Sequence, residues 1–193
     1  VAAHLALCPT CRQAVSKFEA VGGQLMSAVT PVSVDDNLYE SIVAATNVVV
    51  DDEVPARPVA DSLDPDPILP EPLRGYLGGD VCSLEWQRLG LGAYQCLIPT
   101  NDEETTARLL RIPAGRPVPT HSHGGPELTL VLSGAFSDTT GTYGRGDLQE
   151  ADEYLDHQPH AAAGEDCICL AVTNAPLRFK SLAARMVQPL IGI

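Results

Sequence analysis

Two periodicities divide the chain. Leu38, Ile42 and Ala45 stand at i, i+4 and i+7, which puts one apolar stripe on a helix over residues 34–47. Asp35 and Asp36 sit near its start, where negative charge meets the positive end of the helix dipole. From Leu73 onward short apolar runs alternate with turn signals. The runs predict strands at Ser83–Leu89, Ala93–Ile98, Thr105–Ile112, Val118–His123, Glu127–Leu132, Ala135–Asp138, Asp147–Ala151, His157–Ala161, Asp166–Thr173 and Leu177–Phe179. Gly90-Leu-Gly92, Pro113-Ala-Gly115 and Gly144-Arg-Gly146 mark reversals. So many short strands predict a β-sandwich or jelly roll. Between the two patterns, residues 49–72 are acidic and dense in proline, with neither period, and read as a semi-extended linker. The expected division is a small helical domain over 1–48, the linker over 49–72 and a β-barrel domain over 73–193.

Composition narrows the choices. Sixteen glycines and sixteen prolines suit a turn-rich β protein, and a 45% hydrophobic content permits a proper core. A net charge of −13 argues against direct contact with nucleic acid, whose phosphates it would repel, and suits a partner with a basic surface. No apolar run approaches the ~20 residues of a membrane span, and nothing reads as a signal peptide. The chain opens Val1-Ala-Ala rather than on methionine, so an upstream segment is expected. Of six cysteines, at 8, 11, 82, 96, 167 and 169, four lie in strand-like apolar runs. That habit is one of reduced, buried thiols and points to the cytoplasm. Cys167 and Cys169, two apart on one strand, share a face, and packing is their expected role.

The chemistry concentrates in Gly115-Arg-Pro-Val-Pro-Thr-His121-Ser-His123-Gly-Gly-Pro-Glu127-Leu-Thr-Leu-Val-Leu-Ser-Gly134. His121 and His123, one residue apart on an extended segment, face the same way. Gly124-Gly-Pro126 then turns the chain, and Glu127 opens a buried strand. Two imidazoles and a carboxylate converge, as a borderline divalent metal requires. The spacing resembles the first cupin motif at every fixed position. Gly146-Asp147 resembles the turn that opens the second cupin motif, and His157 then falls where that motif places its ligand. His160, three residues on, faces away and reads as a surface residue. Metal ligands are therefore expected at His121, His123, Glu127 and His157. Ligand type admits zinc, iron, manganese or nickel.

A second cluster lies at the start. His4, Cys8 and Cys11 follow a His-x3-Cys-x2-Cys spacing, and Pro9 is expected to end one helix at Cys8 and begin another. Three such ligands suit tetrahedral zinc, and a closed site needs a fourth, expected upstream of Val1. This spacing, followed by a helix, resembles the zinc-binding anti-sigma domain. Its union with a C-terminal cupin resembles the ChrR-type anti-sigma factors across essentially the whole chain, including Asp166-Cys-Ile-Cys-Leu-Ala171 and Ala175-Pro-Leu-Arg-Phe179. The resemblance implies zinc at His4, Cys8 and Cys11, and a second zinc at His121, His123, Glu127 and His157. It also implies that the N-terminal helices sequester a group IV (extracytoplasmic-function) sigma factor. Release would come on oxidative, singlet-oxygen-type stress, with the cupin as sensory domain. A mononuclear cupin dioxygenase or isomerase is the alternative. Beyond the ligands only Arg111 and Glu85 offer themselves as reacting groups, and an enzyme has no need of the His/Cys cluster. The regulator is the expected reading.

Overall fold

The computed structural model describes residues 1–47, 66–90, 92–102 and 104–180. Most of the expected linker lies outside these residues. Four α-helices come first: α1 (Ala2–Leu7), α2 (Pro9–Ala28), α3 (Leu38–Asn47) and α4 (Glu71–Leu77). A 3-10 turn at Val81–Ser83 leads into eleven strands. They are β1 (Gln87–Gly90), β2 (Ala93–Ile98), β3 (Thr106–Ile112), β4 (His121–His123), β5 (Glu127–Ser133), β6 (Ala135–Ser137), β7 (Thr142–Gly144), β8 (Leu148–Ala151), β9 (His160–Ala161), β10 (Cys167–Thr173) and β11 (Leu177–Phe179). The fold is thus mainly β with a few N-terminal helices. The chain separates into two compact units, Val1–Cys8 with Val59–Ile193, and Pro9–Pro58.

A six-stranded sheet runs in the order β1-β2-β3-β10-β5-β8, a three-stranded sheet as β7-β6-β9, and β11 pairs with β4. All the named pairings are antiparallel. β5 and β10, both inside this sheet, read as continuous apolar runs because both of their faces are covered. On one face Leu130, Leu132 and Ile168 pack with Leu109 and with Leu69, Leu73 and Leu77 of the α4 region. On the other, Val131, Cys167 and Cys169 pack with Phe136 and Ala161. Alternation along β5 and β10 assigns each residue to its side. Cys167 and Cys169 are both buried, with their sulfurs 3.5 Å apart. Gly134 follows β5 at φ +67°, and a Cβ there would lie 2.6 Å from the Asp166 carbonyl oxygen, so only glycine fits.

Two elements differ from the expectation by pattern. α4 was read as the end of the linker and an unassigned stretch before the first strand, yet it has Pro72 in its first turn and Gly78 in the left-handed conformation at its C-cap, an ordinary start and stop. The proline density of the preceding stretch masked it. β7 was not expected, apart from the reversal that begins at its last residue, Gly144; it is a short strand opposite β6, with Tyr143 stacked on Phe136 at 5.0 Å between ring centroids. As expected, Pro9 starts a helix: Cys8 is extended, at φ −100° and ψ 104°, and α2 begins at the proline.

α1 belongs with the β unit. Ala3 is buried in the core formed by α4 and the sheet, and Leu7 packs against it. α2, in the other unit, has no buried residue. Along it Val15, Phe18, Val21, Leu25 and Met26 are exposed, as are Leu38, Tyr39, Ile42 and Val43 on α3.

Candidate metal centre

Backbone pairing brings the histidines together. The His121 N–H donates to the His157 carbonyl at 3.1 Å, and the His157 N–H returns the bond to His121 at 3.0 Å. This isolated antiparallel bridge sets the two side chains on one face. His123 joins them from two positions along β4, which is braced on its other edge by β11 through Leu177 and Phe179. All three rings are buried, at 4%, 1% and 3% exposure for His121, His123 and His157.

The rings meet through their Nε2 atoms. His157 Nε2 lies 3.1 Å from His123 Nε2 and 3.2 Å from His121 Nε2. Three nitrogens each about 2.1 Å from one ion stand about 3.0 Å apart at right angles and about 3.4 Å at tetrahedral angles, so these edges suit a shared cation. The outer nitrogens fix the tautomers. His121 Nδ1 donates to the Pro119 carbonyl at 2.8 Å, and His157 Nδ1 to the Asp138 carboxylate at 2.5 Å. With both protons on Nδ1, two Nε2 lone pairs face each other, an arrangement that a cation satisfies and a protein hydrogen bond between neutral rings does not. Burial lowers the pKa of both His121 and His123 to about 4, so both are neutral at pH 7 and free to act as donors. The donor set fits a borderline divalent ion.

Glu127 stands beside this group. Its carboxylate is 3.8 Å from His123 Nδ1, beyond hydrogen-bond distance, and accepts from Thr129 Oγ1 at 3.2 Å. Burial raises its pKa, opposed by the Thr129 bond and by the His157 and Arg108 charges. The closely grouped ligand atoms are those of His121, His123 and His157, all within 4.8 Å of one another. His160 is exposed on β9 and turns Nδ1 toward the Gln158 carbonyl. Arg111 is tied to Asp166 by a 2.8 Å ion pair and is about half exposed.

Comparison with known proteins gives the family of the chain. A sequence profile described as the ChrR cupin-like domain matches residues 77–177. The chain is also 45% identical to anti-sigma-E factor ChrR of Cereibacter sphaeroides, over 100% of this chain and 87% of that one. The chain belongs to the ChrR family. A crystal structure of Rhodobacter sphaeroides SigE in complex with the anti-sigma ChrR matches with a TM-score of 0.70 at 43% identity, covering 90% of this chain and 85% of that one.

The ChrR cupin-like match spans His121, His123, Glu127 and His157. His4, Cys8 and Cys11 fall in the part shared with the full-length relative. His4 lies on α1, Cys8 caps that helix with its N–H donating to the His4 carbonyl at 2.8 Å, and Cys11 is in the first turn of α2. Their ligand atoms also lie within 4.8 Å of one another, and His4 Nδ1 is buried with no hydrogen-bond partner. Three half-buried donors of this kind suit zinc, with one tetrahedral position open to a further donor.

Sequence reasoning missed Asp138. It placed this aspartate only as the last residue of the strand Ala135–Asp138. The signal that finds it is structural: the pairing of β6 with β9 places Ser137 opposite His160, which carries the neighbouring Asp138 toward His157.

Proposed function

We propose that this chain is an anti-sigma factor that binds a group IV (extracytoplasmic-function) sigma factor through its N-terminal helices, with a metal-holding cupin unit as its sensory part. The observation that carries the reading is the likeness to anti-sigma-E factor ChrR across the whole chain. The helices support it. α2 is 20 residues long, carries Gly22-Gly23 at its middle and buries nothing. Mid-helix glycines cost about 1 kcal/mol each, so such a helix depends on packing that another surface supplies. Phe18, Leu25 and Met26, with Tyr39 and Ile42 on α3, provide the apolar anchors, and the net charge of −13 suits a basic partner.

The β unit holds a divalent ion through His121, His123 and His157, with Glu127 in reach as a fourth ligand by a change of side-chain rotamer. Zinc is the favoured ion, while iron, manganese and nickel share the donor set. Such an ion ties β4, β5 and the β8–β9 loop together. His4, Cys8 and Cys11 hold a second zinc that orders the junction of α1 and α2. Oxidative stress of the singlet-oxygen type acts on the metal-holding parts and weakens the hold on the sigma factor. The protein is a cytoplasmic regulator and not an enzyme; among the described residues no helix is long and apolar enough to cross a membrane.

The test is binding of the zinc-loaded full chain to a purified group IV sigma factor. A 1:1 complex is expected, weakened at least tenfold by Phe18→Asp with Leu25→Asp and dissociated by singlet oxygen. Absence of any complex, together with oxygen-dependent turnover of a small diketone or thiol, would replace this reading with the dioxygenase one.

A further inference from the structure

We propose that Asp138 is the positioning carboxylate of the cupin metal centre: it fixes the tautomer and direction of His157 and so decides how tightly the ion is held. The proposal rests on the metal-binding reading above. Asp138 follows β6, and its side chain is wholly buried. One oxygen, Oδ1, accepts from the Thr140 N–H at 2.7 Å and from Thr140 Oγ1 at 2.6 Å. These two bonds make the turn, and a turn-forming aspartate needs no more. The other oxygen, Oδ2, accepts from His157 Nδ1 at 2.5 Å and from Gln149 Nε2 at 2.8 Å. That second pair is surplus to the turn and is aimed at a candidate ligand.

The network around the carboxylate is fully directed. Thr140 Oγ1 gives its proton to Asp138, so the Tyr143 hydroxyl, 2.9 Å away, must donate to Thr140, as Gln149 Nε2 does at 2.9 Å. Four donors therefore hold the carboxylate in its charged form, and His157 is its ionic neighbour. A buried negative charge on one nitrogen of an imidazole favours positive charge on the other, which a cation on the far nitrogen supplies. His121 has a carbonyl behind it and His123 Nδ1 has no hydrogen-bond partner. Among the three rings, His157 is the one hydrogen-bonded to a carboxylate; the Glu127 carboxylate stops 3.8 Å from His123 Nδ1.

The experiment uses the full chain with Cys8→Ser and Cys11→Ser, so that one metal centre is read. Zn2+ affinity is measured against a chromophoric chelator, Co2+ is followed by its visible absorption, and thermal unfolding is recorded with and without metal. Asp138→Asn keeps the shape and is expected to lose about 10- to 100-fold in Zn2+ affinity and to shift the Co2+ bands. The metal-free protein should melt where its Asp138 counterpart does, or higher. Affinity within twofold of the parent, or an equal fall in melting temperature with and without metal, overturns the proposal and leaves Asp138 a turn residue. If the Asn variant does not fold, Thr140→Val removes one donor and keeps the carboxylate; a severalfold affinity loss supports the proposal and an unchanged affinity overturns it. A parent protein that binds no Zn2+ defeats the metal-centre reading instead.

Discussion

The two ligand clusters are built in opposite ways. His4, Cys8 and Cys11 come from eight consecutive residues, and a helix end at Cys8 followed by a fresh helix at Pro9 is enough to gather them. His121, His123 and His157 span 37 residues and need β4, its bridge to His157 and the barrel around them. In the first cluster the donors are half-buried, and local chain geometry does the work. In the second the rings are buried, and Pro119 and Asp138 orient two of them before any ion arrives. Preorganisation of this kind spares an ion the ordering of its ligands, so the distant cluster should be the tighter and the local one the more responsive.

The largest expected effect isolates the barrel site. His121→Ala with His123→Ala should abolish its metal while leaving zinc at the N-terminal cluster, measured by metal content after desalting; unchanged content would dissolve the comparison. Next comes the converse. Cys8→Ser with Cys11→Ser should remove the other zinc and weaken sigma-factor binding at least tenfold, with the barrel's melting temperature moved by only ~1–2 °C. Loss of barrel stability in this variant would show that the sites are not independent.

Acid gives a third, smaller effect, in the metal-free protein. The folded pKa of about 4 for His121 and for His123 lies below the ordinary value of 6.5. The unfolded chain therefore binds more protons in between, and stability is present above pH 6.5 and lost as pH falls toward 4. Urea midpoints should report a loss of about 2 kcal/mol per ring between pH 7 and pH 5. A flat profile would mean that the apo rings are not held neutral. The smallest effect sharpens the ligand set: His160→Ala, on an exposed ring, should leave metal content unchanged, while His157→Ala should lower it.

Legibility in the sequence followed the same division of local from distant. His-x-His on a strand and His-x3-Cys-x2-Cys around a proline are readable because a short segment fixes the geometry. The continuous runs in β5 and β10 were readable as buried strands, since both faces are covered. Asp138 was not readable, because nothing at the end of a strand says that its second oxygen meets a histidine 19 residues on. α4 was lost to the prolines before it, although Pro72 and Gly78 frame it. Glu127 was read as converging with the histidines. Its place on β5 was legible, but the resting direction of its carboxylate, toward His123 Nδ1 and Thr129, depends on side-chain packing that spacing does not encode.

The docking of α1 has a practical consequence for anyone dissecting this molecule. Ala3 and Leu7 cover apolar surface on Leu69, Leu73, Leu77 and the sheet, although more than sixty residues separate them in sequence. A fragment that begins at residue 73 would lack both α1 and Leu69, leaving a bare greasy trough on an otherwise acidic particle. Such a piece should be sticky and prone to self-association, and its behaviour would say little about the intact protein. A piece ending before residue 48 inherits the opposite fault, a first helix torn from its seat. A β piece that begins at Val59 rather than residue 73, mixed with the N-terminal piece, keeps Leu69 and α1 together and respects this architecture.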